Sequence, residues 1–313
     1  MNIRSLTTAV LLLATGPIAS ALDAPARLMF KDGSHDDVLI VDYKRGYVTY
    51  KLNERDLNRT RKGPEQIESI YFYQSPIFAE AMSLYQGRKY AEAKTKFQEC
   101  QEAYKTIDTA PNNYGTLGGF YAMECSRRMM DLESLSSEME KFRKEGLTRE
   151  NHIQQLEVNA FWEAVRLKDW DRLDRLAQDW RTRKVTGSQR AQISYCHGLA
   201  LEELAKKNPK LMTKALNAYN ITLSADFTAS MELVVGAANN ALRIYDADPE
   251  VKLAIKLWKT EDENQNSGGY QRLMEANALA KLYNQAGFSA VKPLSAEYKV
   301  FLKYNKPKED TAG

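Results

Sequence analysis

Residues 79–100 read AEAMSLYQGRKYAEAKTKFQEC, and this stretch decides the fold. Ala81, Leu84, Tyr90, Ala93, Phe97 and Cys100 stand at offsets 0, 3, 9, 12, 16 and 19. Apolar residues three and four positions apart line one face of a helix. Here they do so on both sides of a break, Gly87-Arg88-Lys89-Tyr90. The stretch is therefore a helix, a tight bend and a second helix.

Similar bends recur down the chain, at Met130-Asp131-Leu132, Lys168-Asp169-Trp170, Asn208-Pro209, Asp248-Pro249 and Ala286-Gly287-Phe288. Counted at Tyr90, Leu132, Trp170, Pro209, Pro249 and Phe288, their spacings are 42, 38, 39, 40 and 39 residues. A fixed period of this size marks an array of helical hairpins. Looser links rich in Pro, Gly, Asn and Ser lie between hairpins, around residues 109–113, 144–150, 182–188, 224–227 and 260–269. The expected fold is mainly α: about six hairpins stacked as a solenoid over 75–306, because no single hairpin can bury its own apolar face.

The first unit resembles the tetratricopeptide repeat, in which small residues let the two helices of a hairpin approach and large ones plug the gaps. Ala81 and Ala93 match the small positions, Tyr90 and Phe97 the large ones. Ala160, Ala164, Trp170, Leu173 and Ala177 echo the pattern, as do Tyr195, Gly198, Leu201, Ala215 and Tyr219. The last unit begins similarly, with Leu279, Ala280, Tyr283 and Gly287. The second and fifth units match poorly. The period is also longer than that family's usual 34 or so residues and nearer the roughly 40–47 of armadillo- and HEAT-type arrays. The resemblance implies a right-handed superhelix with a concave groove lined by the first helix of each pair. Carried along the register, that groove would present Phe78, Met82 and Tyr85 in the first unit, Trp162 and Arg166 in the third, and Asn277, Lys281 and Asn284 in the last. Aromatic and Arg side chains are the usual interface anchors, so a protein or peptide partner is expected there.

Residues 22–74 read with period two instead. Four strands are expected, within 27–30, 37–43, 47–51 and 67–73, punctuated by Asp32-Gly33 and Arg45-Gly46. This small β-rich module, a meander or curled sheet, resembles SH3-like or Sm-like barrels. The glycine-bearing motifs of RNA-binding Sm-like rings are not recognisable, so shape alone is carried over. Tyr50, Tyr71 and Tyr73 would stack on sugars if exposed, which makes a carbohydrate- or cell-wall-binding module the alternative reading. The basic stretch Arg55, Arg59, Arg61 and Lys62 is diluted by Glu54, Asp56 and Glu65 and reads as a solvated loop.

Residues 1–21 have the layout of a secretory signal peptide, with Arg4, the apolar run AVLLLA at 9–14, Gly16-Pro17 and a closing Ala19-Ser20-Ala21. Cleavage after Ala21 and a periplasmic or secreted location are expected. No later apolar run escapes interruption by charge, so no membrane span is expected. With 27% charged residues and a formal charge of +3, nothing demands nucleic acid as a partner. Cys100, Cys125 and Cys196 read as buried thiols, with a Cys100–Cys125 bridge as the sharper alternative.

No HExxH, GxSxG or phosphate-binding glycine loop is present. Cys196 and His197 are adjacent, and neighbours on a helix point about 100° apart, so they cannot face each other as nucleophile and base. Asp246, Asp248 and Glu250 crowd one turn, where Pro249 suits the first position of a helix. No catalytic residue, metal or cofactor is expected, and the function expected is that of an exported scaffold. An enzyme whose site is assembled without a local motif, around His197 or Glu203, is the third possibility. Residues 307–313 read as a tail.

Overall fold

The computed structural model describes residues 22–226 and 231–305. The expected signal peptide at 1–21 and tail at 307–313 lie outside them. The chain is mainly helical, with a small five-stranded antiparallel sheet at the N-terminus. It divides into two compact units: the first comprises 22–129 with 137–148, and the second 130–136 with 149–305.

In the first unit, strands β1 (Ala24–Phe30), β2 (His35–Lys44), β3 (Tyr47–Lys51), β4 (Thr60–Lys62) and β5 (Ile67–Phe72) lie in the order β4-β3-β2-β1-β5. Alternation drives one face inward: Ala26, Leu28, Val38, Ile40, Val48 and Tyr50 are buried. Fully burying Leu28 or Ile40 is worth roughly 1.5–3 kcal/mol each. Lys44 pairs with Tyr47 across a two-residue turn, Arg45-Gly46, with φ of 52° and 86°. Two positive φ values are what tight hairpins require. The fifth strand, β4, falls in the basic stretch read from sequence as a loop. Val48 pairs with Lys62, and three charged or polar residues carry no alternation by which a strand can be recognised.

The inner face of the sheet is completed by helices. Cys100, Ala103, Tyr104, Ile107 and Ala110 join its core, with Ile77, Phe78 and Tyr114 packed at the edge. Helix α1 (Pro76–Gln86) starts where Ser75 accepts a bond from the Phe78 amide and Pro76 takes the first position. Helix α2 (Tyr90–Ala103) follows the bend, and α3 (Tyr114–Arg128) packs on α2. The contact is close because of Gly118: a Cβ there would stand 2.7 Å from the Phe97 carbonyl oxygen. That approach accounts for Gly118. Helix α4 (Leu132–Lys141) carries the division between the units.

The second unit contains α5 (Glu150–Arg166), α6 (Trp170–Asp179), α7 (Gly187–Ala205), α8 (Leu211–Ala225), α9 (Met231–Ala247), α10 (Pro249–Leu257) and α11 (Gly268–Gln285). Two short 3-10 turns, Phe288–Ala290 and Tyr298–Lys303, close it, so α11 is followed by turns instead of a second long helix. Every bend read from sequence is a junction at a helix end. Arg88, Met130 and Lys168 adopt left-handed φ of 60°, 57° and 55°, and Gly287 one of 75°. Asp248 instead caps α10, with Pro249 at its first position. Gly198 on α7 lies beneath the Tyr219 ring of α8, where a Cβ would come within 2.5 Å of Cε1. Among the described residues, no helix is long and apolar enough to cross a membrane.

Candidate functional site

The residues expected on the groove fall into three groups. Phe78, Met82 and Tyr85 stand together on α1 in the first unit, half-buried around an aromatic cluster. The Phe78 ring is 5.5 Å from Phe97, 5.1 Å from Tyr114 and 5.8 Å from Tyr121. Tyr85 meets Tyr90 and Tyr121 edge-on, each at 5.6 Å. Arg128 Nε donates to the Tyr85 hydroxyl at 2.7 Å, and its guanidinium lies 5.2 Å and 5.6 Å from the centroids of Tyr85 and Tyr90. A partly desolvated cation over two rings is worth about 0.5–2 kcal/mol. Burial pushes the Tyr85 hydroxyl well above the ordinary phenol range, so it stays neutral.

Trp162 and Asn277, in the second unit, lie inside it. Trp162 is fully buried, and its indole N–H donates to Gln192 Oε1 at 2.9 Å. Gln192 Nε2 donates to Gln155 Oε1 at 3.0 Å, and Gln155 Nε2 donates back at 2.9 Å and to Asn159 at 3.0 Å. This amide network fastens α5 to α7. Asn277 Nδ2 donates to the Phe301 carbonyl at 2.7 Å and pins the last 3-10 turn to α11. Buried polar groups need partners, and these two side chains have found theirs within the unit.

Arg166, Lys281 and Asn284 retain access to solvent. Arg166 grips Glu163 with two bonds, at 2.7 and 2.9 Å, and reaches Glu133 at 3.1 Å. That guanidinium holds the Glu163 carboxyl below its usual range. Asn284 accepts a bond from Ser289 Oγ at 3.2 Å. Sequence reasoning did not single out Gln155, Asn159 and Gln192, because amides on a helix read as its outer face. It also passed over Glu202, which accepts from Tyr219 at 3.0 Å and from Arg243 at 2.6 Å, linking α7, α8 and α9.

The other singled-out residues are equally specific in place. His197 Nε2 is 2.9 Å from Asp174 Oδ1, and Glu203 pairs with Lys206 at 2.6 Å. Asp248 and Glu250 are both bound by Arg272. All three cysteines are free and buried, so Cys100 and Cys125 are not bridged. Burial pushes both of those thiols up to about 12. Tyr50 is only 3% exposed and packs inward, whereas Tyr71 and Tyr73 are 60% and 44% exposed. Among the described residues, no group of three or more His, Cys, Asp or Glu side chains is placed to hold a metal ion.

Comparisons of the chain with protein-family models, with curated proteins and with solved structures return no match.

Proposed function

We propose that the protein is an exported, non-catalytic interaction scaffold that holds a protein or peptide segment in the groove of a helical repeat array. The observation that carries this reading is the recurrence of a helix end at six bends spaced near 40 residues. Stacked repeats of this kind build extended binding surfaces. The tetratricopeptide resemblance draws support from the small-against-large contacts: buried Ala81, Ala93 and Phe97 in one hairpin, and Gly198 beneath Tyr219 in another. Export rests on residues 1–21 alone. Within this proposal the second unit offers Arg166, Lys281 and Asn284 to the partner, while its Trp162 and Asn277 hold helices in place; Met82 and Tyr85 are the candidates of the first unit.

The test is cross-linking and affinity capture with the tagged chain in its own host, compared with R166E and K281E variants of unchanged helicity. Capture of one defined partner, reduced at least fivefold by either change, supports the scaffold. A partner profile identical for the parent and both variants overturns the groove assignment.

Binding to carbohydrate or cell wall is the second reading, and exposed Tyr71 and Tyr73 support it. They stand two residues apart, Tyr71 within β5 and Tyr73 just past its end. Tyr50, being buried, drops out of it. Peptidoglycan or glycan pull-down that is lost in Y71A/Y73A favours this reading. The whole chain is needed for that test, because α2 completes the core of the sheet.

A further inference from the structure

The sheet of the first unit has two open edges, β4 and β5, and they differ. Strand β4 has three residues, two of them Arg61 and Lys62. Short, basic strands are a usual protection of an edge against pairing with another chain. Strand β5 has six residues, Ile67-Glu68-Ser69-Ile70-Tyr71-Phe72, with a single charge and no proline. The register shift opposite Glu68 leaves residues 69–72 in regular pairing with β1. Over those residues β5 is an unprotected edge.

The phase of the pairing shows which backbone groups face outward. The Tyr73 amide donates to the Pro25 carbonyl at 2.9 Å, and the register continues with Arg27 opposite Tyr71 and Met29 opposite Ser69. Bonded and non-bonded positions alternate in an antiparallel pair. Ser69, Tyr71 and Tyr73 therefore turn N–H and C=O toward β1, and Ile70 and Phe72 turn theirs to the open edge. Among the described residues, no hydrogen bond from outside the sheet reaches the backbone of Ile70 or Phe72. Their side chains pack against the core of the sheet, whereas Tyr71 is exposed.

We propose that β5 pairs antiparallel with β5 of a second copy of this chain, about a two-fold axis at Tyr71, joining two five-stranded sheets into one. With Tyr71 opposite the second copy's Tyr71, Ile70 stands opposite Phe72 and Phe72 opposite Ile70. Every outward backbone group of these two residues is then paired. The inner face gains the Ile70–Phe72 contact twice, and the outer face gains a pair of tyrosine rings. Cross-strand pairs of this kind stabilise sheets. Glu68 falls opposite Gln74, so no like charges face each other. This reciprocity favours a second copy over a peptide of other sequence. Dimerisation through β5 is independent of the scaffold reading.

The experiment uses the whole chain, with mass followed by light scattering and sedimentation as concentration rises. Tyr71→Lys sets like charges directly opposite each other across the axis. Its side chain is exposed, and an unchanged circular dichroism spectrum verifies the fold. Tyr71→Cys puts two thiols at a non-bonded pair, where Cα atoms stand about 4.5 Å apart and a disulfide can close. Tyr73→Cys is the control, because it is offset from its own copy by about 13 Å along the strands. The native cysteines are buried and do not interfere. The expected result is a concentration-dependent dimer, weakened at least tenfold by Tyr71→Lys. Mild oxidation should link Tyr71→Cys into a covalent dimer and leave Tyr73→Cys unlinked. A parent that stays monomeric, a dimer that Tyr71→Lys leaves intact, or no preference for bridging at 71 over 73 overturns the proposal.

Discussion

Trp162 on α5 donates its indole N–H to Gln192 Oε1 on α7 at 2.9 Å, with both side chains buried. The same oxygen accepts from Gln155 at 2.9 Å. Gln192→Leu would orphan the indole N–H and Gln155 Oε1, and would leave Gln155 Nε2 only its bond to Asn159. Leaving such groups unsatisfied costs about 1–3 kcal/mol each, so a loss of at least 2 kcal/mol or so is expected in urea unfolding. A loss below about 0.5 kcal/mol would show that the network does not hold α5 to α7.

Gly118 offers a test of the close approach of α3 to α2. In Gly118→Ala the new methyl meets the Phe97 carbonyl oxygen at 2.7 Å, and backbone cannot move aside as a side chain can. Overpacking of this kind costs roughly 1–3 kcal/mol, despite the better helix propensity of alanine. Thermal unfolding reads this out. A variant as stable as the parent would mean that the two helices are farther apart than described.

The thiols should be silent in the folded protein. Cys100, Cys125 and Cys196 are buried and free, so an aromatic disulfide reagent at pH 8 should label none of them until urea is added, and then all three. The mass should be the same with and without reductant. Because burial raises Cys100 and Cys125 from 9.0 to about 12, the unfolded chain ionises first. Their contribution to stability is therefore complete below about pH 9 and declines as pH climbs toward 12. A C100A/C125A variant should lose less stability than the parent across that window.

On the sheet, Arg27 Nε bonds Asp37 Oδ1 at 2.8 Å, and the Tyr73 hydroxyl donates to the same carboxylate. Arg27 chiefly, then Tyr73, lowers Asp37 from 3.8 to about 2. The sign follows from that depression: the bridge contributes above about pH 4 and is lost as pH falls through 2. A carbon-detected titration of the Asp37 carboxyl should show the low midpoint, and Arg27→Gln should move it back toward 3.8. A parent midpoint near 3.8 would mean that the pair is not formed in solution.

The helix ends were legible from sequence because their causes are local. Ser75-Pro76, Asp248-Pro249 and Gly287 act within a turn of the chain and need no partner from elsewhere. The same holds for Asp32-Gly33 and Arg45-Gly46 between strands. By contrast, β4 was hidden because Thr60-Arg61-Lys62 is a strand only through pairing with β3.

Which face of a helix turns inward is decided differently. Ala191, Gln192, Ile193 and Ser194 are consecutive on α7 and all buried, and α3 is buried almost continuously from Gly115 to Arg127. A helix covered on several sides loses the stripe from which its inner face is read. For that reason Trp162 and Asn277, expected on an open groove, lie within the second unit; Tyr50, on β3, is buried by the alternation of its strand. The sequence by itself determined the helical and β-rich stretches and their junctions, which depend on neighbours along the chain. Only the tertiary structure decided which polar and aromatic side chains were enclosed, because enclosure depends on residues such as Gln192 and Phe301 that lie 30 and 24 positions away.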